Sequence, residues 1–209
     1  MKIATWNVRG VGNARFCLNV QDLINAYGSD ILVILEPRIS GNHAEHVIGQ
    51  VKLPRHFRVD PIGLSNGTWV LWDDRKCNVD VVWAIKQSVT MIIKVHSSSQ
   101  STSWLFSAIY ASPILHKRMH LWTHLKNVAS EFNMPWLVMG DFNELLHTMD
   151  KLGGCPLIAS HVHAFNDCLN HCGLFDLATN GPYCIWTNKN WDWRRHITEK
   201  LDKAFINSE

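Results

Sequence analysis

Pro135-Trp136-Leu137-Val138-Met139-Gly140-Asp141-Phe142-Asn143 reads as a short apolar strand that stops abruptly in a glycine, an acid and an amide. A run this short and apolar, closed by turn-forming residues, is the pattern of a buried strand rather than of a helix. Its end therefore delivers two chemically useful side chains, Asp141 and Asn143, to the edge of a sheet.

The segment before it, 115–132, repeats Leu115, Met119, Trp122, Leu125, Ala129 and Phe132 at helical spacing, which predicts a helix with one buried stripe. His116, His120 and His124 then fall on the opposite face; no cysteine or acid joins them, so they read as solvated rather than as metal ligands. After the tip, 160–172 predicts a second amphipathic helix that buries Val162, Phe165, Leu169 and Cys172, with Cys168 a small core residue. Strand-like pieces follow at 174–177, 183–187 and 200–206.

Toward the N-terminus, residues 2–8 read as a strand that ends at Asn7, because Arg9-Gly10-Val11-Gly12 breaks it. Val20, Leu23, Ile24 and Tyr27 predict a helix over 14–27, stopped by Gly28. Five consecutive apolar residues, 31–35, suit a strand buried on both faces; Glu36 stands at its end and Pro37 terminates it. A helix is expected over 42–51, then a turn at 63–67 and strands at 68–73, 78–83, 89–96 and 103–110. Tyr110 is again a tip, since Ser112-Pro113 prevents the last of these from continuing.

Composition narrows the classes. With 209 residues, 46% hydrophobic, 18% charged and ten tryptophans, the chain has ample core material and suits one domain, 1–209. A formal charge of +2 is too small for a general nucleic-acid coat, so phosphate binding must be local. Six cysteines without a Cys-x-x-Cys pair, and an N-terminus without the apolar core of a signal peptide, predict an intracellular protein, nuclear or cytoplasmic. No apolar run approaches the roughly 20 residues that span a bilayer, so no membrane association is expected, nor a stable protein partner; a monomer is expected.

Many consecutive strands with a few interspersed helices favour an α/β fold of two packed, mostly antiparallel β-sheets flanked by helices, a four-layer sandwich. In such a fold strand tips gather at one mouth, and the tips here carry Asn7, Glu36, Tyr110, Asp141, Asn143 and Asp202. Each has a plain structural reading alone: a turn cap, a loop acid, a core aromatic, a turn pair, a surface acid. Their joint occurrence carries the functional one. Carboxylate and amide oxygens without thiolates suit a hard cation, Mg2+ or Mn2+, that keeps waters and takes substrate phosphate oxygens, which points to phosphoester chemistry.

Trp6-Asn7-Val8-Arg9-Gly10, Leu35-Glu36-Pro37-Arg38, Ile109-Tyr110-Ala111-Ser112-Pro113, Gly140-Asp141-Phe142-Asn143 and Lys200-Leu201-Asp202-Lys203 occur in this order across nearly the whole chain. Together they resemble the endonuclease/exonuclease/phosphatase superfamily, the group of deoxyribonuclease I and the apurinic endonucleases. Asn66-Gly67-Thr68-Trp69-Val70-Leu71-Trp72, Arg118-Met119-His120-Leu121-Trp122, Lys151-Leu152-Gly153-Gly154 and Tyr183-Cys184-Ile185-Trp186-Thr187-Asn188 are similar, more narrowly, to the endonuclease region of plant LINE-type retrotransposons.

The resemblance implies roles. Glu36 is the principal metal ligand, with Asn7 beside it. Asp141 orients or deprotonates the attacking water, Asn143 holds the phosphate and Tyr110 donates to a phosphate oxygen. Trp186, Thr187 and Asn188 match a segment beside the nucleic acid, and Arg9 and Arg38 add local positive charge for the DNA backbone. Relatives carry a Ser-Asp-His beyond the element that Leu201-Asp202-Lys203 resembles, its histidine oriented by the aspartate at Asp202. The sequence ends at Glu209 without that triplet, so a C-terminally truncated domain lacking the final strand of one sheet is expected. The leading expectation is a metal-dependent DNA endonuclease of retrotransposon origin. The alternatives are an inactive remnant of one, and a phosphatase acting on small or lipid phosphates.

Overall fold

Ile31–Leu35 (β2) contains no polar side chain and every residue in it is buried, so it can only lie inside a sheet, covered on both faces. The computed structural model, which describes residues 1–13, 15–61, 63, 67–96, 102–178, 180 and 182–209, places it so. β2 pairs in parallel with Ile3–Asn7 (β1) and antiparallel with Thr68–Trp72 (β4), which in turn pairs with Arg55–Val59 (β3). The parallel step needs a crossover, supplied by the helix Phe16–Tyr27 (α1); Gly41–Gln50 (α2) follows β2. Leu32, Ile34, Trp69 and Leu71 share a core with Phe16 and Val20 of α1 and Ala44 and Ile48 of α2. The alternate residues Ile31, Val33, Leu35 and Val70 point the other way and are equally buried, which makes this sheet an inner layer.

Residues Met1–Tyr110 form one compact unit, and its second set of strands is a meander: Cys77–Ile85 (β5), Ser88–Val95 (β6) and Ser103–Tyr110 (β7), all antiparallel. A register shift between Val81 and Trp83 marks a bulge in β5. Thr90 and Ser107, buried opposite one another in β6 and β7, satisfy each other's hydroxyls at 2.8 Å.

Residues Ala111–Glu209 form a second compact unit. Leu115–Glu131 (α3) leads into Trp136–Asp141 (β8); a single 3-10 turn, Thr148–Asp150, leads to Lys151–Leu152 (β9); Ala159–Cys172 (α4) follows. Phe175–Asp176 (β10), Trp186–Thr187 (β11), Thr198–Glu199 (β12) and Asp202–Ile206 (β13) complete it. β13 lies antiparallel between β8 and β10, while β12 lies antiparallel between β11 and β9. An aromatic cluster holds the unit together: Trp122 of α3 and Phe165 of α4 stack with centroids 4.6 Å apart, and Phe142 and Phe205 meet edge to face at 5.1 Å. The fold class is the expected one, α/β with mostly antiparallel sheets and helices outside.

Three expectations change. α3 is rotated from its expected setting: Arg118 and His124 are buried and Met119 is 43% exposed. Leu121, Leu125 and Val128 set the inward stripe, and Arg118 turns inward because a buried acid, Glu144, receives it. Tyr27, expected in the core of α1, is 67% exposed, since Phe16 and Val20 already fill the contact. The edge strand β3 has no counterpart in the sequence reading, because Arg55, His56 and Arg58 give it no apolar alternation. Residues 64–66 of the expected turn, and Ala14 at the expected helix start, lie outside the described residues.

Candidate active site

The first tip cluster belongs to Met1–Tyr110. Asn7 closes β1 in register with Leu35, so Glu36 emerges one residue past the end of β2, next to it. The Tyr110 hydroxyl donates to Glu36 Oε1 at 2.5 Å, and Asn7 Nδ2 donates to the same oxygen at 3.4 Å. Arg38 takes the other oxygen: its Nε and Nη2 both donate to Glu36 Oε2, at 3.1 and 2.5 Å. Asn7 Oδ1 accepts from the amide of Arg9 at 3.2 Å, which fixes the amide plane of Asn7. Three residues, Asn7, Arg38 and Tyr110, thus converge on one nearly buried carboxylate, two of them from distant parts of the sequence.

The backbone around it is held in an uncommon conformation. Glu36, Arg38 and Arg9 have φ of 53°, 60° and 50°, in the left-handed region that non-glycine residues rarely enter. Their carbonyls and amides are tied down: Gly10 N donates to Glu36 O at 2.7 Å, Val11 N to Pro37 O at 3.0 Å, and Glu36 N to Gly67 O at 3.2 Å. Gly67, with φ of 93°, is required there, since a Cβ would sit 3.1 Å from Pro61 Cδ and 3.2 Å from Pro37. Strain of this kind persists where surrounding structure over-determines it, and it concentrates at functional sites.

The second tip cluster belongs to Ala111–Glu209. Phe142, wholly buried in the aromatic cluster, anchors the end of β8 so that its neighbours flank the strand end. Asp141 Oδ1 accepts from the amide of Asn143 at 2.9 Å, and Asn143, at φ of 45°, donates its Nδ2 to Ala111 O at 2.8 Å. Ala111 N in turn donates to Asp141 O at 2.8 Å, closing a ring of three bonds around the tip. Asp202 begins β13 directly across from Asp141. The structure thus joins Asn7, Glu36, Tyr110, Arg9 and Arg38 at one tip, and Asp141, Asn143 and Asp202 at another.

Trp186 and Thr187 form β11, and Asn188 opens the loop that returns to β12. Asn188 organises that loop, accepting from Ile197 N at 3.2 Å and Asn190 N at 3.1 Å while donating to Arg195 O at 2.7 Å. His196 bonds Asn190 O at 2.9 Å, so this histidine is a loop brace. The result is a braced loop that presents Trp191, 100% exposed, and Trp193, 79% exposed, with the Arg194 guanidinium 5.4 Å over the Trp193 ring.

Two buried charge pairs support the second unit and escaped the sequence reading. Arg118 donates to Glu144 Oε2 from Nε at 3.2 Å and Nη2 at 2.7 Å, and to Ser112 O at 2.8 Å. Asp150 accepts from Lys203 Nζ, Leu146 N and the Tyr183 hydroxyl, each at 2.8 Å. Burial alone would push the Asp150 carboxyl up; Lys203, the Leu146 amide and Tyr183 outweigh it and hold the group below its ordinary value. Tyr183 is pushed up to about 12, chiefly by donating to that carboxylate. The tyrosine sits within a phrase that resembles the LINE-type region and the lysine within one that resembles the wider superfamily, the signal that could have flagged them.

The donor chemistry of the first cluster fits a hard divalent cation. Glu36 offers carboxylate oxygens and Asn7 an amide, with no thiolate among the bonds they make. Among the described residues no three His, Cys, Asp or Glu side chains gather as a self-sufficient metal cage. One carboxylate and one amide suit Mg2+, which usually keeps several waters and completes its shell from phosphate oxygens. None of the helices among the described residues is long and apolar enough to cross a membrane.

The model of the Endonuclease/Exonuclease/phosphatase family matches residues 4–209. No curated protein matches the chain. Among solved structures, it is similar to an AP endonuclease from Leishmania major, with TM-score 0.70 and 14% identity, covering 98% of this chain and 78% of that one. It is similar to the endonuclease domain of TRAS1, a telomere-specific non-LTR retrotransposon (TM-score 0.66, 11% identity, 98% and 84% covered). A third is a 3' phosphatase from Neisseria bound to a product DNA hairpin (TM-score 0.65, 18% identity, 100% and 87% covered). At these identities the likeness shows the fold, a two-sheet α/β sandwich.

Proposed function

Because the chain belongs to the Endonuclease/Exonuclease/phosphatase family, we propose that it is a divalent-metal-dependent phosphodiesterase that cleaves DNA internally, an endonuclease domain of retrotransposon kind. The observation that carries this reading is the convergence of Tyr110, Asn7 and Arg38 on the Glu36 carboxylate. An acid so placed is not an ordinary loop residue: its backbone is strained and its partners come from two other strand tips and from its own turn.

Glu36 and Asn7 are the residues that would hold Mg2+ or Mn2+. When bound, the ion supplies positive charge that offsets the charge of the transition state at phosphorus. Asp141 accepts the proton of the attacking water and orients it, with Oδ1 already fixed by the Asn143 amide. Asn143 steadies a phosphate oxygen through the second hydrogen of its Nδ2, a donor set in advance that costs no reorganisation; the one hydroxyl hydrogen of Tyr110 lies on Glu36, so Tyr110 orients that ligand rather than the phosphate. Asp202, the register partner of Asp141, is the positioning acid of the set. Arg9 and Arg38 supply charge for the DNA backbone.

The choice of DNA rests on the braced loop after Trp186, Thr187 and Asn188. Exposed aromatic rings interleaved with Lys189, Arg194 and Arg195 are the composition of a nucleic-acid surface, where rings stack on bases and cations meet phosphates. The test is nicking of supercoiled plasmid by the purified chain with Mg2+ or Mn2+, beside Asp141→Ala, excess chelator, and an inositol phosphate as competing substrate. Nicking that requires the ion and is lost in Asp141→Ala is the expected result. Equal nicking in the variant or in chelator sinks the reading, and turnover of the inositol phosphate alone makes the protein a phosphatase.

A further inference from the structure

The proposed cation ligand is already occupied by a cation of the chain's own. The Arg38 guanidinium makes both of its bonds to Glu36 Oε2, while Tyr110 and Asn7 share Oε1. The two sides differ in access: the Arg38 side chain is 40% exposed and that of Glu36 only 11%, so arginine is the solvent-side partner and tyrosine the buried one.

This arrangement is built by the backbone rather than left to a flexible surface arginine. Left-handed φ on both sides of Pro37 folds Arg38 back across the turn onto Glu36. Gly10, at φ of 109°, takes a backbone conformation that favours glycine and lies in ordinary contact range of the arginine stem, where a Cβ would meet Arg38 Cδ at 3.5 Å. The amides of Gly10 and Val11 then clamp the carbonyls of Glu36 and Pro37. A guanidinium and a divalent ion cannot share one carboxylate oxygen, because the like charges repel and the lone pairs are already used. A phosphodiester is the other natural partner of an arginine, through the same planar fork.

Resting on the reading of Glu36 as a metal ligand, we propose that Arg38 is a displaceable lid on that carboxylate. It neutralises Glu36 in the free protein, holds down affinity for divalent ions, and transfers to a backbone phosphate when DNA arrives. DNA binding and ion binding then strengthen one another, as reciprocal coupling requires. An arginine that merely braces the turn would predict the reverse: its removal would loosen Glu36 and weaken the ion.

The experiment measures Mn2+ binding directly, by the loss of the free-ion signal in electron paramagnetic resonance, for the full chain and for Arg38→Gln and Glu36→Gln. Arg38→Gln is expected to bind Mn2+ about tenfold more tightly than the native chain; Glu36→Gln is expected to lose the site. Equal or weaker binding by a folded Arg38→Gln overturns the lid. If the native chain and Arg38→Gln bind no better than Glu36→Gln, it is the metal reading that fails. A second measurement needs no variant: phenylglyoxal modification of Arg38, followed by peptide mass spectrometry. Saturating Mn2+ should accelerate it severalfold and added duplex DNA should suppress it. An unchanged rate in Mn2+ overturns the proposal.

Discussion

Tyr110 and Glu36, 74 residues apart in sequence, share a hydrogen bond of 2.5 Å at the ends of two different strands. The phenol holds Oε1 from the buried side, so the carboxylate cannot swing away when its outer oxygen changes partner. Removing only the hydroxyl leaves the ring and its packing. Tyr110→Phe should therefore keep the fold, losing about 1 kcal/mol of stability. The nicking rate should fall between about tenfold and a hundredfold, the usual cost of removing a partner that orients a ligand. Plasmid nicking and urea unfolding on the same preparation check both. A full native rate in Tyr110→Phe would remove the tyrosine from the machinery.

Arg118 and Glu144 make the most buried arginine pair described, with side chains 4% and 7% exposed. The guanidinium also satisfies Ser112 O, so one side chain ties α3 to two loops of its unit. Breaking such a pair strands a buried charge and costs about 3–5 kcal/mol, whereas replacing both partners by apolar groups is often neutral. Arg118→Met should shift the urea midpoint far down, and the double variant Arg118→Met, Glu144→Leu should recover most of the loss. If single and double variants are equally unstable, the pair is not the unit that matters.

Legibility in the sequence followed the range of the interactions. The run 31–35 announced a strand because burial on both faces leaves a local, uninterrupted signature, and the apolar run 136–139 closed by Gly140 placed Asp141 at a strand end through an equally local one. Arg118 and His124 broke the pattern of α3 because periodicity counts any polar residue as outward, and the acid that draws Arg118 in lies 26 residues away. Asp150 and Lys203 are likewise 53 residues apart. The lid on Glu36 was invisible for another reason: nothing in Glu36-Pro37-Arg38 marks a left-handed backbone, which the surroundings impose. The individual tip residues were read; what they bond to was not.

Asp150 sets an acid limit to stability. Its carboxyl is held below the ordinary value in the folded chain, so its ion pair contributes fully above the unfolded value of about 3.9 and is lost as pH falls through the folded value. Asp73, held down chiefly by Arg75, acts in the same direction. Urea stability should be level near neutral pH and decline progressively below about pH 4. Asp150→Asn should be less stable by about 3–5 kcal/mol at neutral pH, because Lys203 is left buried without its acid, and should show a shallower acid decline. Identical acid slopes in the native and variant chains would show that other carboxylates set the limit.

Trp191 and Trp193 stand out as large apolar side chains on a loop whose backbone is fully braced. Because Trp191 buries nothing and Trp193 little, Trp191→Ala and Trp193→Ala should leave stability within about 0.5 kcal/mol of native. If they stack on bases, each should weaken DNA binding about tenfold, the lower end of what a lost base-aromatic stack costs. Arg194→Gln separates charge from stacking: it should flatten the dependence of affinity on salt by about one unit of logarithmic slope, which the tryptophan variants should leave alone. Fluorescence anisotropy with a labelled duplex, run in chelator at several salt concentrations, reads binding apart from any metal chemistry. Native affinity in the double variant Trp191→Ala, Trp193→Ala would move the nucleic-acid surface elsewhere, and with it the choice of DNA as substrate.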